Sequence, residues 1–167
     1  DENKVFYEFL GFIGERRAIA APYERTLGDS TATEAQIQEA RQVLTDLGEE
    51  VGAEQQRILD VHADKLFAKY LNMVLEPTIP EAPKNIANAQ ELQYRWYLDH
   101  YWDRVDFDDP RLVHDGSFHQ ILDSYWTRVL PQVPDTLLNS ADRLIARAAG
   151  NDEMFKYITH YITFNSE

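Results

Sequence analysis

Apolar residues recur at intervals of three and four along most of this chain, and that helical spacing limits its fold more than any other feature. The clearest run is a heptad repeat whose two apolar positions are occupied by Ile37, Leu44, Val51 and Ile58 and by Ala40 and Leu47. No segment shows the strict alternation of apolar and polar residues that is typical of a half-buried strand. The sequence therefore predicts an all-α fold.

We expect about six to seven helices, of which the first two form an antiparallel helical hairpin that buries the heptad. Two overlapping capping boxes, Thr31 with Glu34 and Thr33 with Gln36, predict that the second helix begins close to Thr33, and Pro22 predicts a kink or an interruption in the first. A homodimeric coiled coil through the same heptad is the alternative, although Glu54 interrupts the repeat. A third helix and then a multi-helix bundle or helical array follow the hairpin.

Prolines mark a boundary near the middle of the chain. Pro77, Pro80 and Pro83 are spaced by three, the period of a polyproline II helix, which predicts an extended connector at residues 77–88. The N-terminal hairpin and the third helix then form residues 1–76, and a C-terminal helical bundle forms residues 89–167. A length of 167 residues suits two such subdomains or their packing as one domain.

Capping residues predict where the helices of the C-terminal bundle begin. Asn88 with Glu91 predicts one start, Asp135 predicts another, and Asn151 or Asp152 predicts the last. The expected buried faces of the last two helices consist of Leu137, Leu138, Ala141, Leu144, Ile145 and Ala148, and of Phe155, Ile158, Tyr161 and Ile162.

Charge and composition narrow the classes of partner. The formal net charge is −13 and the isoelectric point is near 4.7, which argues against a nucleic-acid partner or an anionic membrane surface. The sequence contains no cysteine, so thiol catalysis, disulfides and thiolate zinc sites are excluded within these residues. No apolar run approaches the roughly 20 residues that cross a bilayer, and no signal peptide is recognised, so we expect this chain to be soluble. Because it begins at Asp1, we expect it to be a processed or excised part of a longer protein.

Residues 94–119 combine aromatic side chains with aspartates and histidines at high density, and any binding site of the chain is expected here. The candidate binding residues are His100, Trp102, Asp103, Asp106, Asp108, Asp109 and Arg111.

Three interpretations of this segment compete. In the first, the four aspartates hold a divalent cation, although a calcium loop counted from Asp106 would place Arg111 and Ser117 where glycine and glutamate belong.

In the second interpretation, His100, His114 and His119 form a transition-metal or acid–base site, but no two of them have the spacing of four that places ligands on one helix face. In the third, which we favour, the aspartates cap turns and helix ends, arginines offset their charge, and Trp102 anchors the loop in the core. No hydrolase, phosphate-loop or dinucleotide motif is present. We therefore predict no catalytic residue, no metal and no cofactor.

Five segments carry a resemblance to a known family: LQYRWYLDHYWDRVDFDDPRL, FHQILDSYW, VLPQVPDTLL, DRLIARA and EMFKYITHYI. Over residues 64–167 the chain resembles a helical domain of unknown function from Bacteroidetes envelope proteins. In that family the domain precedes a thioredoxin-like module of the peroxiredoxin or thiol–disulfide oxidoreductase type, often in exported or lipid-anchored parents.

The resemblance implies a function for the parent protein and a supporting role for this chain. The parent would be a thiol–disulfide oxidoreductase-like protein of the cell envelope, possessing its redox cysteines in the thioredoxin-like module. This chain would be a non-catalytic accessory domain that positions or docks that module, its partner in the same parent. The alternative is a ligand-binding or divalent-metal-binding helical module centred on residues 99–119.

Overall fold

The computed structural model describes residues 2–82, 87–114 and 116–165, and within these ranges the chain forms seven α-helices and no strand. The predicted all-α class and helix number are therefore confirmed. The helices are α1 (Glu2–Gly28), α2 (Glu34–Val61), α3 (Leu66–Val74), α4 (Ala89–His100), α5 (Gly116–Ser124), α6 (Pro134–Ala148) and α7 (Asp152–Asn165). A 3₁₀ turn (Pro110–His114) precedes α5, and a π-helical turn (Tyr125–Val129) continues it.

The chain divides into two compact units, and the division falls after Ala68, inside α3, rather than at the proline-rich segment. From Lys69 onward α3 is bonded to the second unit: the amide of Asn72 donates to the carbonyl of Arg104 at 3.0 Å, and Lys69 binds two aspartates of the same loop. These contacts explain why the division precedes the predicted connector at 77–88. Residues 76–82 contain no helix or strand. Residues 83–86 of the connector, including Pro83, lie outside the described residues.

The first unit is the predicted antiparallel hairpin, in which α1 packs along α2. The guanidinium of Arg16 in α1 donates to the Glu50 carboxylate in α2 at 3.1 Å, a bond between the two arms of the hairpin. The capping box is also present: Thr33 Oγ1 accepts from the Gln36 N–H, and Gln36 Oε1 accepts from the Thr33 N–H at 2.8 Å. These local bonds fix the residue at which α2 begins, as the sequence predicted.

Pro22 lies inside α1, which is continuous from Glu2 to Gly28, so the predicted interruption is absent and the kink stays a prediction. A proline removes one intrahelical hydrogen bond, but α1 packs on α2, and this packing supports the helix through the missing bond. Of the heptad residues, Ala40 and Ile58 are buried, and the others are half-buried. The hairpin therefore uses the heptad within one chain. Dimerisation through it stays a prediction, which light scattering can test.

The second unit is built around an aromatic core. Trp102 makes edge contacts with Phe107, Phe118 and Tyr125, with ring centroids 5.0–6.4 Å apart. α6 packs on α7, and the 3₁₀ turn packs on both α5 and α7. These contacts bring the segment at residues 101–114 against the core.

Helix starts and buried faces of the second unit agree with the sequence in part. The Asn151 carboxamide accepts from the N–H groups of Glu153 and Met154 and caps α7, as predicted. Asn88 precedes α4 but makes no side-chain capping bond, and α6 starts with Pro134 rather than with a cap at Asp135. The predicted burial of two residues is wrong, because Leu138 and Phe155 are 65% and 39% exposed.

No helix among the described residues is both long enough and apolar enough to cross a membrane.

Two leucines of α6 provide a matched test of this core. Leu144 is 1% exposed and Leu138 is 65% exposed. Replacing Leu144 by alanine should lower the free energy of unfolding by about 2–5 kcal/mol, because it removes buried methyl groups and leaves a cavity. Leu138→Ala should change it by less than about 0.5 kcal/mol. Urea denaturation of both variants measures the difference, and equal losses would contradict the described packing.

Candidate functional site

The predicted site residues follow the C-terminal end of α4 and continue to the start of the 3₁₀ turn. The structure divides all of them except Asp108 into three sets with different surroundings. Trp102, only 4% exposed, belongs to the aromatic core. Asp106, Asp109 and Arg111 form one charged network, and His100 and Asp103 belong to another.

Asp109 is the centre of the first network and is 6% exposed. Its Oδ2 lies 2.7 Å from Lys69 Nζ and 2.6 Å from Arg111 Nη2. Its Oδ1 accepts from the side-chain Nε–H of Arg111 at 2.9 Å and from the backbone N–H of Arg111 at 3.1 Å. A buried carboxylate needs such partners, because an unpaired charge in this position would be strongly destabilising.

Asp106 extends this network on the solvent side. Its Oδ2 lies 2.7 Å from Lys69 Nζ, so one ammonium group binds both aspartates. Its Oδ1 accepts from the Asp108 N–H at 3.1 Å, a bond that closes the turn. Both oxygens of Asp106 are therefore used to shape the loop.

The electrostatics of the network follow from these contacts. Hydrogen bonds from Arg111 are the main reason that the pKa of Asp109 lies far below its ordinary value; burial opposes this effect and Lys69 adds to it. The pKa of Lys69 is raised, chiefly by Asp106 and then by Asp109. The shifted pKa values of Asp109 and Lys69 both favour the charged form, so this pair holds no proton to transfer near neutral pH.

The second network connects α4 with α6. Arg147 donates to Asp103 Oδ1 at 2.7 Å, and His100 Nδ1 lies 2.6 Å from the other oxygen of Asp103. Arg143 donates to Asp99 at 2.6 Å in the same manner. The pKa of Asp103 is lowered, first by Arg147 and to a smaller extent by His100. These pairs are partly exposed, so each contributes little to stability by itself.

Asp108 belongs to neither network. Its side chain is exposed, and its backbone carbonyl accepts from the Asn151 carboxamide at 3.0 Å. Its Oδ1 would lie 3.2 Å from a Cβ added at Gly150, so a side chain there would displace the carboxylate slightly. Asp108 thus connects the loop to the start of α7 through its backbone.

The three histidines also have separate partners. His114 Nε2 lies 3.2 Å from Glu153, His119 Nδ1 lies 2.9 Å from the Tyr157 hydroxyl, and His100 binds Asp103. Among residues 2–82, 87–114 and 116–165, no three His, Asp or Glu side chains come together in a way that could hold a metal ion.

Sequence reasoning missed the residues that complete these networks. Lys69 is the one charged residue in the mostly apolar helix sequence LFAKYLNMV, and that isolation is a signal for a specific partner. Arg143 and Arg147 are four residues apart, so they share one face of α6. The sequence alone does not pair either with an aspartate 44 positions earlier.

A cleft between α4 and α6 lies beside the second network, and we call it the α4–α6 cleft. It consists of two adjoining cavities of about 500 Å³ and about 200 Å³, which share Leu98, Asp99, Tyr125, Ser140 and Arg143. The larger volume lies within the range of small-molecule sites, roughly 300–1,000 Å³. Trp102 lines the smaller cavity, so one predicted site residue contributes to this cleft.

Comparison with known proteins places the fold in a family. Residues 30–165 match the family described as "Domain of unknown function (DUF5106)". The chain belongs to this family. The match to DUF5106 includes α2 to α7, both charged networks and the α4–α6 cleft, and it leaves α1 outside. No curated protein and no solved structure matches the chain.

Asp109 provides a stability prediction for this DUF5106 chain. Asp109→Asn should lower the free energy of unfolding at pH 7 by about 2 kcal/mol, because it leaves Lys69 and Arg111 without their shared carboxylate. This loss of stability is smaller than that expected for a fully buried ion pair, because the side chains of Lys69 and Arg111 both keep contact with water. Asp108→Asn is the matched control and should change stability by less than about 0.5 kcal/mol. Similar losses in both variants, measured by urea denaturation, would contradict the network's role.

The lowered pKa of Asp109 also predicts how pH changes the stability difference between the wild type and Asp109→Asn. A carboxyl whose pKa is lower in the folded state stabilises the protein above its unfolded pKa of about 4, and this contribution is lost as the pH falls through the folded value. The free energy of unfolding of the wild type should therefore exceed that of Asp109→Asn most above about pH 5, and this difference should shrink as the pH falls below about 4. A gap that widens on acidification would contradict this assignment.

Proposed function

We propose that this chain is a non-catalytic helical domain that positions or docks a thioredoxin-like module of the same parent through protein contacts. The parent would be a thiol–disulfide oxidoreductase-like protein of the cell envelope, exported or lipid-anchored, in which this chain is a soluble part. The finer family assignment, to the Bacteroidetes domain that precedes such a module, belongs to the same proposal.

One observation supports the non-catalytic part of the proposal most directly. The carboxylates of Asp106 and Asp109, which a hydrolytic or metal-dependent site would need, are bound by Lys69 and Arg111 instead. Using them for chemistry would require breaking contacts that fold the loop. Because the sequence contains no cysteine, redox chemistry of the parent would reside in other residues.

The docking part rests on the resemblance of residues 64–167 to the domain that precedes thioredoxin-like modules, together with the match to DUF5106. Helical domains that present rigid faces suit this role, because a preorganised surface loses little entropy on binding.

The coding sequence that follows Glu167 provides the first test. We expect a strand–helix pattern with a CxxC motif, the redox motif of a thioredoxin-like module. A parent protein that contains no such module would overturn the proposal.

Binding in trans provides the second test. The parent's module, expressed separately, should shift backbone NMR signals of exposed residues in the ¹⁵N-labelled chain at concentrations of up to about 1 mM. A module with both cysteines replaced by serine is the matched control, and it should bind equally well because the contact involves no thiol chemistry. Absence of shifts, or binding that requires the cysteines, would contradict docking by protein contacts.

A further inference from the structure

A groove between α5 and α7, which we call the α5–α7 groove, is lined mostly by aromatic rings. It encloses about 320 Å³, within the range of small-molecule sites, roughly 300–1,000 Å³. Its lining residues are four apart on α5 and recur at intervals of three and four on α7, so they share one face of each helix. They are His119 and Asp123 of α5 and Tyr157, His160, Tyr161, Phe164 and Asn165 of α7.

Two side-chain contacts cross this groove and hold its walls in place. The Tyr161 hydroxyl donates to Asp123 Oδ1 at 2.9 Å, and His119 Nδ1 lies 2.9 Å from the Tyr157 hydroxyl. Burial raises the pKa of both tyrosines, and the hydrogen bond to Asp123 adds to this effect at Tyr161. Both phenols are therefore neutral at physiological pH, and the face of a neutral phenol attracts cations.

The carboxylate of Asp123 has no cationic partner among the residues that the structure describes. Its Oδ1 is bonded to Tyr161, and its Oδ2 makes no hydrogen bond or ion pair with any of them. The aspartates of the two charged networks, in contrast, each bind a lysine or an arginine. Asp123 is only half-buried, so solvent reaches it, and none of the described residues that line the groove is a lysine or an arginine. The groove thus contains a negative charge that no neighbour offsets.

The outer part of the groove is aromatic and open to solvent. Phe164 is 73% exposed, and its ring stacks on the exposed His160 with centroids 6.3 Å apart and an interplanar angle of 27°. An alkylated ammonium group combines a positive charge with an apolar surface, and a quaternary one has no N–H to donate. Aromatic faces beside a negative charge are the surroundings that bind such a group.

We propose that the α5–α7 groove binds a small organic cation with an alkylated ammonium group. The ammonium lies against the rings of Tyr157 and Phe164, and the Asp123 carboxylate offsets its charge. The net charge of −13 favours the approach of a cation over that of an anion. This inference is independent of the proposed docking role, because a small cation requires no partner module.

Choline and its neutral isostere 3,3-dimethyl-1-butanol provide the experiment, because they have the same shape and differ in charge. Each is added at up to about 10 mM to the ¹⁵N-labelled chain, and the backbone signals of residues 119–123 and 157–165 are followed. We expect choline to shift these signals with a saturating curve and the isostere to have a much smaller effect. No shift with choline, or equal shifts with the isostere, would overturn the proposal.

A charge variant tests the role of the carboxylate. Asp123→Asn should weaken choline binding about tenfold, because it removes the charge but retains an oxygen that accepts from Tyr161. Asp152→Asn is the matched control: it changes the net charge equally, is exposed and lies outside the groove, so it should leave the affinity unchanged. Equal affinities of the two variants would contradict the proposal.

A ring variant tests the aromatic wall and stays decisive even if Asp123→Asn does not fold. Phe164→Leu retains an apolar side chain but removes the ring, and it should weaken choline binding about two- to fivefold. Phe155→Leu is the control on the same helix, since Phe155 is 39% exposed and does not line the groove. An unchanged affinity of Phe164→Leu, or equal losses in both variants, would rule out recognition by this wall.

The same ammonium group occurs in free amines and in the headgroup of phosphatidylcholine, and flotation with vesicles of that lipid distinguishes the two sources. Flotation that choline competes away would support a lipid headgroup as the ligand. Binding of choline without flotation would support a free amine. Flotation that Asp123→Asn leaves unchanged would contradict the assignment of the ligand to this groove.

Discussion

The buried carboxylate of Asp109 is the interaction on which the second unit depends. It is bound by Lys69 from α3 and by Arg111 from the 3₁₀ turn, two elements far apart in sequence. A charge in this position is stable only while both partners remain, so the pairing selects one arrangement of the loop between them. That arrangement places Trp102 against Phe107, Phe118 and Tyr125, and it leads the chain into α5.

Local signals made much of the fold predictable from sequence. The heptad and the Thr33 capping box depend on residues within a few turns of one another, and they predicted the hairpin and the start of α2 correctly. Predictions that depended on neighbours in space did less well. Leu138 and Phe155 belong by their spacing to the apolar faces of α6 and α7. Each face is wider than the part that packs against other helices, so these two residues at its edge stay exposed, and the sequence does not show where the packing ends. Pro22 has an unfavourable local effect that packing in the hairpin outweighs.

The same distinction between local signals and tertiary contacts applies to the candidate site. The density of polar and aromatic residues at 94–119 is visible from composition alone, and that is why the candidate residues were placed there. Their partners were not identifiable, since Lys69, Arg143 and Arg147 reach the segment only through tertiary packing. The α4–α6 cleft was not predictable either, because it arises from the spacing of two helices and from a π-helical turn that has no clear sequence signature. The arginines that bond α6 to α4 and to Asp103 also border this cleft.

A double-mutant cycle between Lys69 and Asp109 tests most directly whether this polar cluster is architectural. Lys69→Met, Asp109→Asn and the double variant are compared with the wild type by urea denaturation at pH 7. The account predicts a coupling of at least about 1 kcal/mol, because the two charged groups contact each other directly within one buried network. Losses that add to within about 0.3 kcal/mol would contradict it and would make the buried carboxylate available for another role.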